Sequence, residues 1–237
     1  MIYSASPSIV YVPSPSPVGP GGGGVAKDTT PPVVSAAILK RGPGASTTLT
    51  ATWSGFDPFP DSGLTTWDVA VTHGRSSIDR IAALPAGTTS LTLTGKPGQT
   101  YTLGVRAVDA AGNLSVPYYV SYAMPLDDGA ARTSSGWSSH RNVKAYGGSF
   151  RTGRAGATAS FRLTGRTFVL LLDETKAHGV VAVLLDGKRI RTTNVTAGGA
   201  KWGVAITVKA RSSGPHAVGL NVLSGTAGLD GAGVIGT

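Results

Sequence analysis

The 237 residues contain no cysteine, which excludes disulfide bonds and thiolate metal sites. Glutamate occurs once, as Glu174, and long helix-forming runs are missing, so a helical protein is not expected. No stretch approaches the ~20 apolar residues of a membrane-crossing helix. The first residues, Met1-Ile2-Tyr3-Ser4-Ala5-Ser6-Pro7, carry neither the basic segment nor the apolar segment of a secretory leader. Acidic residues are also scarce, 12 against 21 basic, for a net charge of +9. What is abundant is glycine (34) and proline (15), set among Thr, Ser, Val and Ala. That composition is the signature of an all-β protein with many turns, and the length suffices for two ordinary domains.

The positive charge lies mostly after residue 130, from Arg132 to Arg211. A basic domain attracts polyanions such as anionic cell-wall polymers or an acidic partner, although charge of this kind also serves solubility alone. The lysines and arginines are not interleaved with aromatics, so nucleic acid is not an expected partner.

Residues 1–27 read as an arm. Ser6-Pro7-Ser8 and Pro13-Ser14-Pro15-Ser16-Pro17 favour extended backbone, and Gly19-Pro20-Gly21-Gly22-Gly23-Gly24 is a hinge. Ile2, Tyr3, Ile9, Val10, Tyr11 and Val12 are apolar β-formers, unusual in a plain linker. They predict docking on another structural protein by adding a strand to an open edge.

Seven strand-like segments follow between residues 33 and 122. The clearest is Tyr101 to Val108, where Tyr101, Leu103, Val105 and Ala107 alternate with Thr102, Gly104, Arg106 and Val108. A tyrosine just after the turn Gly95-Lys96-Pro97-Gly98 predicts a tyrosine corner, with the ring in the core and the hydroxyl bonded back to the main chain. Trp53 and Trp67 fall on apolar faces. Asp57, Asp61, Asp109 and Asn113 could offer oxygen ligands to calcium, but turn formation accounts for them and no metal is expected.

Residues 28–125 resemble a fibronectin type III domain. The residues that carry the likeness are Asp28-Thr29-Thr30-Pro31-Pro32, Trp53, and the run Tyr101-x-Leu103-x-Val105-x-Ala107-Val108-Asp109-x-Ala111-Gly112-Asn113-x-Ser115. The resemblance implies a two-sheet sandwich and no particular function, since such modules serve as spacers, binders and adhesins alike.

Pro125-Leu126-Asp127-Asp128-Gly129 reads as a boundary. Beyond it Phe168-Val169-Leu170-Leu171-Leu172 is a continuous apolar run suited to a central strand. Asp186-Gly187 between two apolar segments is a strong hairpin signal. Trp202, Val204, Ile206 and Val208 form one alternating strand, and Val218, Leu220 and Val222 a second, separated by Ser213-Gly214-Pro215-His216. The stretch from Gly225 to Gly236 lacks large residues and gives the weakest strand signal. The second domain is taken as residues 126–237, and within it about residues 130–237 resemble the galactose-binding-like jelly rolls attached to secreted actinobacterial hydrolases and surface proteins. The likeness rests on Gly136-Trp137-Ser138, Tyr146-Gly147-Gly148, Val183-x-x-Asp186-Gly187 and Ser213-Gly214-x-His216-x-Val218. It implies glycan binding.

Catalysis finds little support. The four histidines, His73, His140, His178 and His216, lie in no nucleophile motif, and the adjacent Asp173 and Glu174 would point to opposite faces of a strand. No enzyme activity and no cofactor are expected. Trp202 is assigned to the core with Trp53 and Tyr101. Trp137 and Tyr146, in Gly/Ser-rich stretches, with His140, Arg141 and Arg154 nearby, are the candidate ligand face. An all-β chain of two sandwiches in tandem, with an N-terminal arm and glycan-binding-type modules, fits a surface protein of a phage particle, a tail or head-decoration component. A detached accessory region of a secreted hydrolase or adhesin, or a purely structural subunit, are the alternatives. A homo-oligomer is compatible with each.

Overall fold

The structure is a computed structural model that describes residues 27–59, 62–73, 77–177 and 179–235. The arm residues Ile2, Tyr3, Ile9, Val10, Tyr11 and Val12, and also Asp61 and His178, lie outside the described residues.

The first sandwich packs a three-stranded sheet on a four-stranded one. β1 (Val33–Arg41), β2 (Thr48–Phe56) and β5 (Ser90–Thr94) form the order β1-β2-β5; β3 (Leu64–His73), β4 (Ser77–Pro85), β6 (Thr100–Asp109) and β7 (Tyr118–Ala123) form β4-β3-β6-β7. Strict alternation places Tyr101, Leu103, Val105 and Ala107 of β6 inside, against Leu49, Ala51 and Trp53 of β2 and Trp67, Val69 and Val71 of β3. The Tyr101 hydroxyl accepts from the Lys96 amide at 2.9 Å and donates to Gln99 Oε1 at 3.0 Å, the bond back to the main chain that the sequence predicts.

Asp and Asn lock the loops at one end. Asp109 accepts from both the main-chain and side-chain nitrogens of Asn113 (2.8 Å each), and Asn113 Nδ2 also reaches the Asp28 carbonyl at 3.3 Å. Asp57 Oδ2 accepts from Gly63 at 2.9 Å and from Ser62 at 3.0 Å, in the manner of a turn.

The second sandwich is built from β8 (Leu126–Asp127), β9 (Arg132–Thr133), β10 (Trp137–Arg141), β11 (Ser149–Arg154), β12 (Thr158–Glu174), β13 (Val180–Leu185), β14 (Lys188–Asn194), β15 (Lys201–Ser224) and β16 (Thr226–Val234). Two long strands cross both of its layers. The first half of β12 pairs with β9 and with the second half of β15, which continues to β13 and β14; the second half of β12 pairs with the first half of β15 and with β16, which continues to β11 and β10. Ser213-Gly214-Pro215-His216 therefore does not separate two strands. It lies within β15, beside the point where the register against β12 shifts between Gly165↔Gly214 and Thr167↔Lys209. The core between the layers holds Phe161, Leu163, Phe168, Leu170, Leu172, Val183, Val208, Leu220 and Leu229. Asp186 (φ 51°) and Gly187 (φ 77°) make the two-residue hairpin that an Asp-Gly pair specifies.

The sandwiches share a core. Val169 and Leu171 of β12, and Tyr146, face away from the second sandwich's own core and join the apolar cluster of the first, which extends to Met124. The run Phe168 to Leu172 is thus apolar throughout because both faces of the strand are covered. The segment after β7 is part of this joint: Leu126 and Asp127 pair with Ala232 and Gly231 of β16. The glycines that weaken the strand signal of β16 are what lets the joint close. A side chain at 231 would strike the Leu126 carbonyl and one at 233 would meet Pro125 at 3.0 Å; within the second sandwich, one at 228 would overlap the Asp173 carboxylate.

Candidate functional site: a charged cleft on the β10–β11 edge

β10 and β11 are antiparallel at the edge of the second sandwich, with Ser139 opposite Arg151, His140 opposite Phe150, and Arg141 opposite Ser149. Because opposed residues share a face, Ser139, Arg141, Ser149 and Arg151 project together and His140 with Phe150 projects the other way. The first set meets Asp128, which the short 3-10 turn Asp128–Ala130 holds beneath it. Asp128 is buried and accepts from Ser149 Oγ at 2.6 Å and from Arg151 Nε at 3.2 Å. The result is a cleft of about 290 Å³ along Asp128, Ser139, His140, Arg141, Ser149 and Arg151. Its floor is pinned by a charge-assisted pair, while Arg141 and His140 are exposed at its rim. On the opposite face His140 stacks on Phe150 (centroids 5.1 Å apart), Phe150 meets Trp202 edge-on at 5.1 Å, and His140 Nε2 lies 2.7 Å from Thr152 Oγ1.

Of the five residues singled out from sequence, the structure brings His140 and Arg141 to this cleft and places the others elsewhere. Tyr146 is fully buried: its hydroxyl donates to the Pro125 carbonyl at 2.8 Å and the Arg41 guanidinium sits 5.3 Å from its ring centroid. Removal from water pushes its phenol above the usual range. It is a joint residue and presents no face to a ligand. Trp137 lies half-buried against the core, its ring over Gly153 and its Nε1 donating to the Thr158 carbonyl at 2.9 Å. Arg154 is exposed at the far end of β11, beside Gly136. Trp202, assigned to the core, is half-buried outside both apolar clusters, with its carbonyl close to Gly44 of the first sandwich.

Asp128, Ser139, Ser149 and Arg151 were not legible as site residues. Asp128 belonged to what reads as a boundary, and Arg151 to a general positive charge. The one usable signal is the period of two, which sets residues 139 and 141 on one face and 149 and 151 on another without saying that the two faces coincide.

Other titratable groups are committed to structure. Asp230 is fully buried and accepts from the Tyr146 amide at 2.8 Å; burial first, then the nearby charges of Asp173, Asp127 and Asp128, raise its carboxyl to about 8. Burial also raises Asp127 to about 6. Asp173 is buried at the end of β12 and Glu174 meets Lys201 at 3.5 Å, so the two belong to the strand and its edge. His216 Nδ1 lies 2.8 Å from Asp186 Oδ2 and its Nε2 3.1 Å from the Ser212 carbonyl; the bond to Asp186 raises its pKa. Among the described residues, Asp28, Asp57 and Asp109 are the carboxylates that converge closely enough to hold a cation, within 4.8 Å of one another, and amides of the surrounding turns already bond to them.

No family model matches the chain, and no curated protein matches it. Solved structures similar to it include carbohydrate-binding modules from the β-sandwich superfamily (12% identity, TM-score 0.37, 88% of this chain and 100% of that one). An α-L-rhamnosidase from Dictyoglumus thermophilum aligns at 12% identity and TM-score 0.42, over 82% of this chain and 26% of that one. A chitinase from Bacillus thuringiensis aligns at 18% identity and TM-score 0.31, over 85% of this chain and 28% of that one. With its own strand order, the chain is an all-β protein of two sandwiches in tandem.

Proposed function

We propose that the protein binds glycan without transforming it, and that the cleft of Asp128, Ser139, His140, Arg141, Ser149 and Arg151 makes the contact. The observation that carries this reading is the buried Asp128, which fixes Ser149 and Arg151 in place beside an exposed Arg141. Pre-positioned donors of this kind hold hydroxyl or acid groups without an ordering cost at the moment of binding. Two arginines against one aspartate make an acidic surface polysaccharide the best-matched ligand.

The first sandwich serves in this reading as a fibronectin type III-like spacer. Its three-plus-four strand order and the Tyr101 hydroxyl bond support that description. The second is of jelly-roll type, supported by the strands β12 and β15 that cross both layers. The location proposed with it is an extracellular surface, that of a phage particle with the arm as anchor, or that of a secreted bacterial protein; the support is the module types in the sequence. Mass spectrometry of purified particles and of culture medium separates the two locations.

The test of binding is retention of the full chain on intact actinobacterial cell walls at low and high salt. Retention that resists salt and is lost in His140→Ala/Arg141→Ala supports the cleft. Retention abolished by salt alone makes net charge the binder. No retention in either salt, or retention unchanged in the double variant, overturns the proposal.

A further inference from the structure

A second built feature lies on the first sandwich, on the outer face of β3, β6 and β7, with no part in the cleft described above. The residues that project outward from β6 are Thr102, Gly104 and Arg106, since Leu103 and Val105 point into the core. Their cross-strand partners are Thr72, Ala70 and Asp68 on β3, and Ser121 and Tyr119 on β7 opposite Thr102 and Gly104. The face therefore runs in three steps: an ion pair, an aromatic beside two small residues, and a row of hydroxyls. Arg106 Nη2 meets Asp68 Oδ2 at 2.7 Å, with both side chains still partly open to water. In the middle step the Tyr119 ring lies over Gly104, its Cε1 2.8 Å from where a β-carbon at 104 would sit, and yet Tyr119 is 67% exposed. The Cδ1–Cε1 edge of the ring lies nearest Gly104, and much of the side chain is open to solvent. At the third step Thr102 Oγ1 and Ser121 Oγ are 2.8 Å apart. Ala70, Gly104, Tyr119, Pro117 and the Asp68–Arg106 pair enclose a trough of about 200 Å³.

We infer that this trough binds one pyranose residue of a neutral saccharide, the CH face of the sugar on the Tyr119 ring and its hydroxyls on the Asp68–Arg106 pair. An exposed flat ring supplies apolar contact area with little entropy to lose. The ion pair offers acceptors and donors side by side with no net charge, which complements adjacent hydroxyls better than it does a carboxylate or phosphate. Alanine at 70 keeps the floor low beside the Tyr119 ring, and glycine at 104 gives that ring room to lie across the strand. A larger residue at 70 would fill the trough, and one at 104 would displace the ring. A chain running along the strands from this point meets Thr72, Thr102 and Ser121 next, so the face has hydroxyl partners for the neighbouring sugar. The trough and the β10–β11 cleft then form two contacts for one polymer or for two, and two weak contacts on one chain raise retention on a polymeric surface well above either alone.

The experiment is amide NMR of the full chain titrated separately with chitohexaose, xylohexaose and mannohexaose. The inference expects the Gly104, Arg106 and Tyr119 amides to shift with at least one of them. Tyr119→Ala and Arg106→Gln should each weaken the midpoint by about tenfold, the loss of one good contact, whereas Tyr119→Phe, which keeps the ring, should change it by less than about twofold. The spectrum of each variant reports its folding, and Arg106→Gln and Tyr119→Phe preserve the cover over Gly104 should Tyr119→Ala disturb the strand. Absence of shifts at these amides with all three sugars, or a midpoint that Tyr119→Ala and Arg106→Gln both leave unchanged, overturns the inference and leaves Tyr119 as a cover for its glycine. The Ser139 and Arg141 amides report the cleft in the same spectra, so this trough and that cleft fail or stand separately.

Discussion

In β6 of the first sandwich every second residue from Tyr101 to Asp109 is buried, and those between are only partly covered. In β12 of the second, six consecutive residues from Phe168 to Asp173 are buried. The two strands occupy the same kind of place, the middle of a sheet, and differ in what lies on their second face. The outer face of β6 meets water and carries Thr102, Gly104 and Arg106. The outer face of β12 meets the other sandwich, through Val169, Leu171, Tyr146 and Met124. A sheet with one wet face leaves polar side chains and the Tyr119 ring open to solvent. A sheet with both faces dry commits its outward residues to the joint, and the polar groups of the cleft lie on the outermost strand β10 and its neighbour β11.

The largest effect is expected from cutting the joint. Residues 126–237 expressed alone would expose Tyr146, Val169 and Leu171, each worth about 1.5–3 kcal/mol when fully buried. The full chain should then unfold in urea as one transition, and the fragment at a much lower midpoint. A fragment as stable as the whole would show that the shared core is ornamental.

Next is a contrast between glycines of the two halves. Gly231→Val pushes a branched side chain into the Leu126 carbonyl and should lose about 3 kcal/mol by urea denaturation. Gly87, which has open space around it in the first sandwich, should accept alanine within about 0.5 kcal/mol. Equal effects at the two sites would remove the distinction drawn between an open turn glycine and one that clears the joint.

The buried carboxyl of Asp230 sharpens the comparison by pH. Its folded pKa of about 8 stands above the ordinary 3.8, so the folded state holds a proton that the unfolded state gives up. Stability from this group is fully present below pH 3.8, falls as pH rises, and levels off beyond about 8. Asp230→Asn keeps an oxygen for the Tyr146 amide and should flatten that decline in a series of denaturation midpoints; an unchanged slope would clear Asp230 of it.

The smallest effect belongs to the exposed hairpin lock. His216 is raised above 6.5 and Asp186 lowered below 3.8, each chiefly by a hydrogen bond: Asp186 for the histidine, the Ala217 amide for the aspartate. The pair therefore supports the fold fully between those two values. It loses this support as pH rises through the raised histidine pKa, or falls through the lowered aspartate one. In an Asp230→Asn background, His216→Gln should reduce the remaining alkaline loss and weaken the midpoint only slightly; an alkaline loss as large as before would assign it to other groups.

Much of this architecture could be read from the chain. The alternation of β6, the turn before Tyr101 and the Asp186-Gly187 hairpin are local signals, fixed by pleat and turn geometry within a few residues. The candidate site was legible only in part. His140 and Arg141 neighbour Gly136-Trp137 in the chain, whereas Tyr146 reads as ligand-facing and is buried, since an aromatic in a Gly/Ser-rich stretch looks the same whether it covers a joint or faces water. Asp128 gave no signal because its partners Ser149 and Arg151 are more than twenty residues away.

By itself, then, the sequence determined the class of the protein, the two-sandwich plan and most strand positions, because those follow from periodicity and turn chemistry. Tertiary structure alone decided that the glycines of β16 are clearance for the Pro125–Leu126 segment, that Tyr146 is buried, and that Asp128 and Tyr119 stand at the two clefts. Each of these depends on which surfaces come to lie against one another, and contact between distant segments leaves no periodic trace in the chain.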